Sequence, residues 1–598
     1  MQIKPLITPS KQSVLHVTAL VVALCSFAYE LVYSELLTII YGGTVTQYGL
    51  TIGLFFSSLG IGSYLCQHLD DNRPSNFFRV QLYLAFIAPA GFLFILWLNT
   101  ASPLANVPSV IPQAIARTPV IAVGVLSGFE LPLLLSMVNN TEQDTIAHSG
   151  VERAHNAVSS GCRRVTSVLF HTASGDSDYT QYSTVLAMDY LGGLAGALIY
   201  VFYLYPELGL IPSVFVLALL NCVAALMFTL RFSARPWGIF NSQESPGVES
   251  AVGTREHAAV FISLLLLTSV LGGAVVSHDT VDQELSEYYI EDIIEDEYPS
   301  DTVEASVSTL STTQHQQIVQ YERRWVGDSD NKLFPGSSEE CLRLDTAIQL
   351  CDSWANSYHN GLVDVPMTMF ENSTATDVLL LGGGDWIAAD HLREHGVSVD
   401  QVDLDGEFME QSKTNEYLSQ YHNDAYQYEH LDSHQQDAYT YLANTDETYD
   451  LILLDLPGAT SDDTLRLYTT EFYALLNEHL STDGVLGTWT YSQYSYGDHH
   501  KAYLNTVSDA GFTSQLPYWA YDDLNNNGET QLGERFYLFS TEKRAKSLTP
   551  HTGSNYVQRY SERYSEASWQ DIPTYDGVEV NSIFDPNYDV IIDSYPDP

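Results

Sequence analysis

Four aspartates stand where an α/β protein keeps its chemistry. Asp385 follows three successive glycines, Gly382, Gly383 and Gly384, and Asp403 ends the next apolar run. Asp437 lies in Gln436-Asp-Ala438, and Asp455 closes Tyr449-Asp-Leu-Ile-Leu-Leu-Asp455. Glycines after a buried strand let a ligand approach the backbone closely. An acid about 20 residues further on is placed to accept from both hydroxyls of a ribose. Asp437 is placed to accept from an adenine amino group, and Asp455 to face the reacting centre. The set describes a cleft for an adenosine-type ligand. The structural alternative, solvated carboxylates on a very acidic surface, predicts no preference for strand ends.

The elements that must hold these acids follow from periodicity. Asp377–Leu381 reads as a buried strand, 386–395 as a helix, Val399–Leu404 as a strand and 407–420 as a helix. Tyr449–Leu454 is a further strand and 468–480 a further helix. Alternation at this pitch predicts a doubly wound parallel sheet of Rossmann type, whose ligands collect at the C-terminal strand ends. Ahead of it, 303–350 alternates apolar and polar residues and contains turn signals such as Pro335-Gly336, predicting short antiparallel strands. The expected organisation is a membrane domain over 1–276 and an acidic linker over 277–302, whose stretch 279–297 reads as a surface helix or linker. A small β subdomain follows over 303–370, then a Rossmann-like nucleoside-binding domain over 371–545 and an acidic tail over 546–598.

The first 276 residues differ in kind from the rest. Apolar runs near 13–40, 46–66, 82–98, 117–137, 185–204, 208–231 and 257–276 are each about long enough to cross a bilayer, which takes roughly 20 residues. Seven crossings predict a multi-span α-helical domain in a lipid bilayer, with the chain ends on opposite sides. Lys4, Lys11, Arg73, Arg79, Arg153, Arg163, Arg164, Arg231, Arg235 and Arg255 fall on one side, and only Arg117 on the other. Positive charge stays inside, so the N-terminus is expected in the cytoplasm and the soluble part outside. Glu30, Glu35, Glu130 and Asp189 lie within the runs. Interhelical hydrogen bonding is the preferred reading of these acids, and a cation or polyamine path the alternative.

Charge is just as uneven. Of 74 acidic and 25 basic residues, 15 and 11 precede residue 277, leaving 59 and 14 after it. A soluble part so coated with carboxylates points to a halophilic source, where salt screens the repulsion. It also argues against nucleic acid as a partner, since no basic patch is there to neutralise phosphates. No CxxC spacing indicates zinc. Cys341 and Cys351 bracket a hairpin and would pair in an oxidising space; two free thiols are the alternative.

The motifs, taken together, resemble the membrane-fused branch of the spermidine synthases, the polyamine aminopropyltransferases. Leu381-Gly-Gly-Gly-Asp385 resembles that family's glycine motif, Val402-Asp-Leu-Asp405 its ribose motif and Gln436-Asp-Ala438 its adenine motif. Tyr449–Asp455 with Leu467-Tyr468-Thr-Thr-Glu-Phe-Tyr473 resembles the catalytic strand and the helix after it. His315-Gln316-Gln-Ile318, Leu344–Gln349 and Tyr358-His359 resemble the substrate-side segments. Tyr29-Glu30, Gly128-Phe-Glu-Leu-Pro132, Asp189-Tyr-Leu-Gly192 and Leu204–Gly209 resemble the fused membrane region. The resemblance implies decarboxylated S-adenosylmethionine as donor and a polyamine such as putrescine as acceptor. It gives Asp403 the ribose, Asp437 the adenine, Asp385 the donor's ammonium and Asp455 the catalytic proton, with Gln316, Gln349, Tyr358 and Tyr468 lining the acceptor side.

This chain also departs from the pattern. The family's catalytic loop carries two acids three apart, and here Asp455-Leu-Pro-Gly458 has glycine at the second position. Asp462 or Asp463 would have to stand in, or Asp455 serve alone. Trp386 follows the glycine turn, where its bulk is expected beside the ligand. The alternative function is therefore a diverged membrane protein that binds a polyamine or nucleoside without turnover, or couples the cleft to polyamine or cation transport. Separately, Asp523, Asn525, Asn527, Gly528, Glu529 and Glu534 match the twelve-residue calcium-loop pattern. The flanks read as strands and position eight is Thr530, so a plain Asn-Gly hairpin turn is preferred over calcium.

Overall fold

The computed structural model describes residues 11–41, 44–69, 73–100, 107–108, 110–138, 177–232, 254–299, 302–327, 334, 337–345, 347–370, 373–459, 462–490, 497–522, 531–542, 548 and 554–587. The chain divides into two compact units, one over Met1–Ile40 and Thr46–Leu285 and one over Tyr41–Val45 and Ser286–Pro598.

All seven apolar runs fold as helix in the first unit, the first as Lys11–Tyr41 and the last as Thr254–Val276. Among the described residues, six helices are long and apolar enough to cross a membrane. A seventh candidate is the pair Ile262–Val276 and Thr280–Asp296, bent by 79°. Two of the acids in these helices, Glu130 and Glu35, find partners across the unit, whereas Glu30 Oε2 has none among the described residues. The Gln81 amide donates to Glu130, while the Tyr48 and Tyr205 hydroxyls donate to Glu35 at 2.7 and 3.1 Å. Gly192 and Gly196 let the helix Ser177–Ile199 close on the first helix; a Cβ at either would lie 2.3 Å from the Leu20 or Leu24 carbonyl oxygen. Small residues at such crossings are what packing without a hydrophobic drive requires.

The second unit begins with a four-stranded antiparallel meander, β1 Val303–Thr312, β2 Gln317–Trp325, β3 Ser338–Leu344 and β4 Ala347–Cys351. Cys341 pairs with Cys351 in register across β3 and β4, and the two form a disulfide. Ile290 and Ile294 of the helix His278–Asp296 pack on that bond together with Val319 and Tyr321. Of the two readings of this acidic stretch, surface helix or linker, the helix is the one formed, and it has one face buried.

The larger sheet has eight strands in the order β12-β10-β11-β9-β8-β5-β6-β7. Its parallel part comprises β5 Asp377–Gly382, β6 Ser398–Asp403, β7 Leu431–Gln435, β8 Tyr449–Asp455 and β9 Leu480–Trp489. β10 Ser514–Asp522, β11 Gln531–Ser540 and β12 Gln570–Asp571 add an antiparallel flank. Side chains of β5 alternate between two cores. Val378 and Leu380 face one with Val399, Leu453 and Leu392, whereas Leu379 and Leu381 face the other with Ile452, Phe472 and Leu504. Burial on both faces explains why these strands read as unbroken apolar runs. The stretch read as a tail packs on this sheet, with Val557, Tyr560 and Tyr564 in the first core and Asn581 buried.

Strand β7 was not expected from the sequence. Leu-Asp-Ser-His-Gln is mostly polar because it is the exposed edge of the sheet. Its presence puts Asp437 two residues beyond a strand end.

Candidate active site

The chain leaves β5 toward β6 and β7 on one side, then returns to β8 on the other, so β5 and β8 flank the point where strand order reverses. Ligands of open α/β sheets collect at that crevice. Gly382 lies in register with Asp455 there. Gly382 has φ +90°, and a Cβ on it would sit 1.9 Å from the Asp455 carbonyl oxygen, so no other residue fits. The Gln401 amide, buried beneath, donates to the carbonyls of Gly383 at 2.6 Å and Gly382 at 3.2 Å and holds the turn.

Asp403 closes β6 beside this turn. Its two oxygens accept from the backbone N–H groups of Gly384 at 3.0 Å and Asp405 at 2.8 Å. A carboxylate has about four acceptor positions, so a ribose can still be taken. Asp405 caps the following helix through the Phe408 N–H and also accepts from Thr313 at 2.6 Å and the Gln316 amide at 2.9 Å. Gln316, read as a substrate-side residue, is thereby joined to the ribose loop. Gln349 lies on β4 with its amide 3.5 Å from the Ala347 carbonyl.

Asp455 is the centre of the arrangement. Its Oδ1 accepts from the Tyr358 hydroxyl at 3.1 Å, and its Oδ2 lies 3.9 Å from His359 Nε2. Ligand atoms of His359, Asp385 and Asp455 all fall within 4.8 Å of one another. His359 Nδ1 lies 2.8 Å from the Ala355 carbonyl, which fixes the proton on Nδ1 and leaves Nε2 bare toward Asp455. Burial, then the neighbouring His391, pushes His359 down to about 3, so its ring is neutral. His359 was not singled out as a site residue in the sequence; its adjacency to Tyr358 was the available signal.

Burial pushes the Asp455 carboxyl up to about 8, with the Asp385 and Asp403 charges adding and the Tyr358 hydrogen bond opposing. Asp385 rises to about 6 through burial, opposed by the Ile387 N–H. Asp403 rises to about 6 through burial against its two backbone donors. Among the described residues, no lysine or arginine pairs with any of the three. Crowded carboxylates without a cation are a receptor for a cationic ligand.

The remaining expected residues lie around this core. Asp437 caps the helix Ala438–Asn444 through the Thr440 N–H at 3.0 Å and pairs with Arg466. The Tyr468 hydroxyl donates to the Pro457 carbonyl at 2.7 Å, and the Trp489 indole donates to the Leu456 carbonyl at 3.1 Å, so both brace the loop after Asp455. Trp386 is turned away from the ligand side, contrary to the expectation of bulk there. It adopts φ +68° and buries its ring, donating to the Met409 carbonyl at 2.9 Å. Asp523, Asn525, Asn527 and Glu529 of the calcium-loop pattern lie outside the described residues, as do the side chains of Asp462 and Asp463. Glu534, its last member, lies exposed in β11.

Residues 355–521 match the family model for the spermine/spermidine synthase domain. A polyamine aminopropyltransferase of Oceanobacillus iheyensis is 26% identical over 469 residues, which is 78% of this chain and 75% of that one. One from Leptospira interrogans is 24% identical over 512 residues, 85% of each chain. A crystal structure of spermidine synthase from Thermotoga maritima aligns at 19% identity with TM-score 0.32, over 45% of this chain and 80% of that one.

Proposed function

We propose that this chain, with its spermine/spermidine synthase domain over residues 355–521, is a polyamine aminopropyltransferase. The observation that carries the reading is the cluster of half-buried carboxylates, Asp385, Asp403 and Asp455, around a glycine turn, with no lysine or arginine paired to them among the described residues. The donor is decarboxylated S-adenosylmethionine, whose sulfonium and ammonium supply the missing positive charge. Asp403 holds the ribose, Asp385 the ammonium and Asp437 the adenine side. An uncharged amine of a diamine such as putrescine forms the new N–C bond as the C–S bond breaks. The sulfur keeps the electron pair, methylthioadenosine leaves, and Asp455 takes the proton from the new ammonium. Purified protein given donor and putrescine is expected to release methylthioadenosine. Binding of the nucleoside without release, for every common diamine, would favour the non-catalytic alternative that Gly458 raised.

The raised carboxyl of Asp455 sets the sign of the pH response. The base is active only when ionised, so kcat/KM is expected to rise with pH through about 8. Tyr358→Phe removes a hydrogen bond that lowers this group, so its limb should move to higher pH. A limb that stays in place in the variant would show that another group accepts the proton.

We further propose that the helical unit sits in the membrane. With the basic residues inside and seven crossings the soluble unit is exterior, a placement the Cys341–Cys351 disulfide supports. An impermeant maleimide should then label a cysteine engineered into the soluble unit of intact cells. A protected cysteine would place that unit in the cytoplasm, where six crossings would leave it.

A further inference from the structure

Among the described residues the loop after β8 brings one acid, Asp455, to the active site, yet an α,ω-diamine brings two ammonium groups. A second pair of carboxylates lies on the same face of the sheet. In the hairpin of β10 and β11, Tyr518 opposes Phe536 and their rings stack at 5.7 Å. Both turn toward the Tyr358–Gly361 segment. The Tyr518 hydroxyl donates to the Gly361 carbonyl, and the Phe536 ring lies 5.5 Å from that of Tyr358. Side chains two residues further along a strand return to the same face. Ala520 and then Asp522 continue it on β10, and Glu534 continues it on β11.

A register shift between Trp519 and Tyr521 puts Gly533 on this face as well. A Cβ on Gly533 would lie 2.4 Å from Asp522 Oδ2 and 3.5 Å from the Ala520 Cβ, so the glycine leaves room for the Asp522 carboxylate. Asp522 is 5% exposed, and its Oδ1 has no hydrogen-bond partner among the described residues. Leaving a buried carboxylate oxygen unpaired is costly. The guanidinium of Arg535 lies over Trp519 and Tyr537, on the opposite face. The negative charge of Glu534 reaches both Asp522 and the Tyr358 hydroxyl. Burial, then Glu534, pushes Asp522 up to about 7, which a bound cation would reverse.

We propose that Asp522 and Glu534 form a second carboxylate station for the far ammonium of a diamine acceptor whose near amine lies at Tyr358 and Asp455. The inference rests on the aminopropyltransferase reading for the identity of the acceptor. The station replaces charge that Gly458 does not supply and makes the cleft selective for acceptors with a second positive end. A calcium ion is the competing occupant, because Glu534 also closes the calcium-loop pattern.

Calorimetric titration of the full chain in detergent, with calcium chelated, tests it. Putrescine is expected to bind at least about tenfold more tightly than butylamine. Asp522→Asn with Glu534→Gln should erase that difference while methylthioadenosine binding is kept. Glu534→Gln alone should reduce it, and serves if the double variant does not fold. An unchanged preference for the diamine in the variants overturns the station. So does calcium binding that the variants abolish while putrescine affinity stays. Intact diamine preference without turnover by the unmodified protein would sink the transfer reading and leave the station standing.

Discussion

Asp455→Asn is expected to lower turnover by about 10²- to 10⁴-fold, the usual worth of a general base, while nucleoside affinity stays within a few-fold. Asparagine keeps the shape and can still accept from Tyr358, whose hydroxyl lies 3.1 Å away. What it cannot do is take a proton. Its neighbours offer no ready substitute. Asp385 and Asp403 are committed to backbone donors, and His359 carries its proton on Nδ1 with Nε2 3.9 Å from Asp455. Above about pH 8, where Asp455 is ionised, removing its charge should also let the adjacent Asp385 ionise more easily. Donor binding therefore should not fall, and can tighten. Single-turnover release of methylthioadenosine separates the two effects. A variant with near-normal release would remove Asp455 from the chemistry and move attention to His359.

Asp364→Asn is expected to cost about 3–5 kcal/mol of stability, the range for breaking a buried ion pair. Asp364 is buried behind the site, accepting from His395 Nε2 at 2.7 Å, His391 Nδ1 at 3.3 Å and the Ser554 hydroxyl at 3.3 Å. His391 in turn stacks on His359, with ring centroids 5.9 Å apart. Burial alone would raise Asp364, but the two histidines outweigh it and hold the group down at about 2. Its stabilisation is thus present above the ordinary value of 3.8 and lost as pH falls toward 2. His391 is raised, since Asp364 outweighs the burial that would lower it. That contribution is full below the ordinary histidine value and fades as pH rises through the raised one. Thermal melts from pH 5 to 9 should therefore show the difference between wild type and variant narrowing at high pH. A difference independent of pH would mean that packing, not the ion pair, supplies the stability.

Much of this is legible in the sequence alone. Strands buried on both faces must be apolar throughout, so β5 and β8 announce themselves, and the acids at their ends follow. The glycine turn was equally plain, because a strand that must turn with φ +90° against a neighbouring carbonyl tolerates no side chain. Edge elements were less visible. β7 is polar because one side of it faces water, and the helix His278–Asp296 hides a buried stripe within an acidic sequence. Trp386 misled for a different reason: its position beside the turn was evident, but a left-handed backbone aims its ring into the packing instead of the cleft. The amino-acid order by itself determined which residues end strands and which segments are apolar enough for a bilayer, since both depend on local period and composition. Only the tertiary structure decided which side chains meet. The unpaired oxygen of Asp522, the bare nitrogen of His359 and the closeness of Asp385 to Asp455 all arise between segments distant in the chain, where desolvation and unlike neighbours, invisible to a local pattern, set the chemistry.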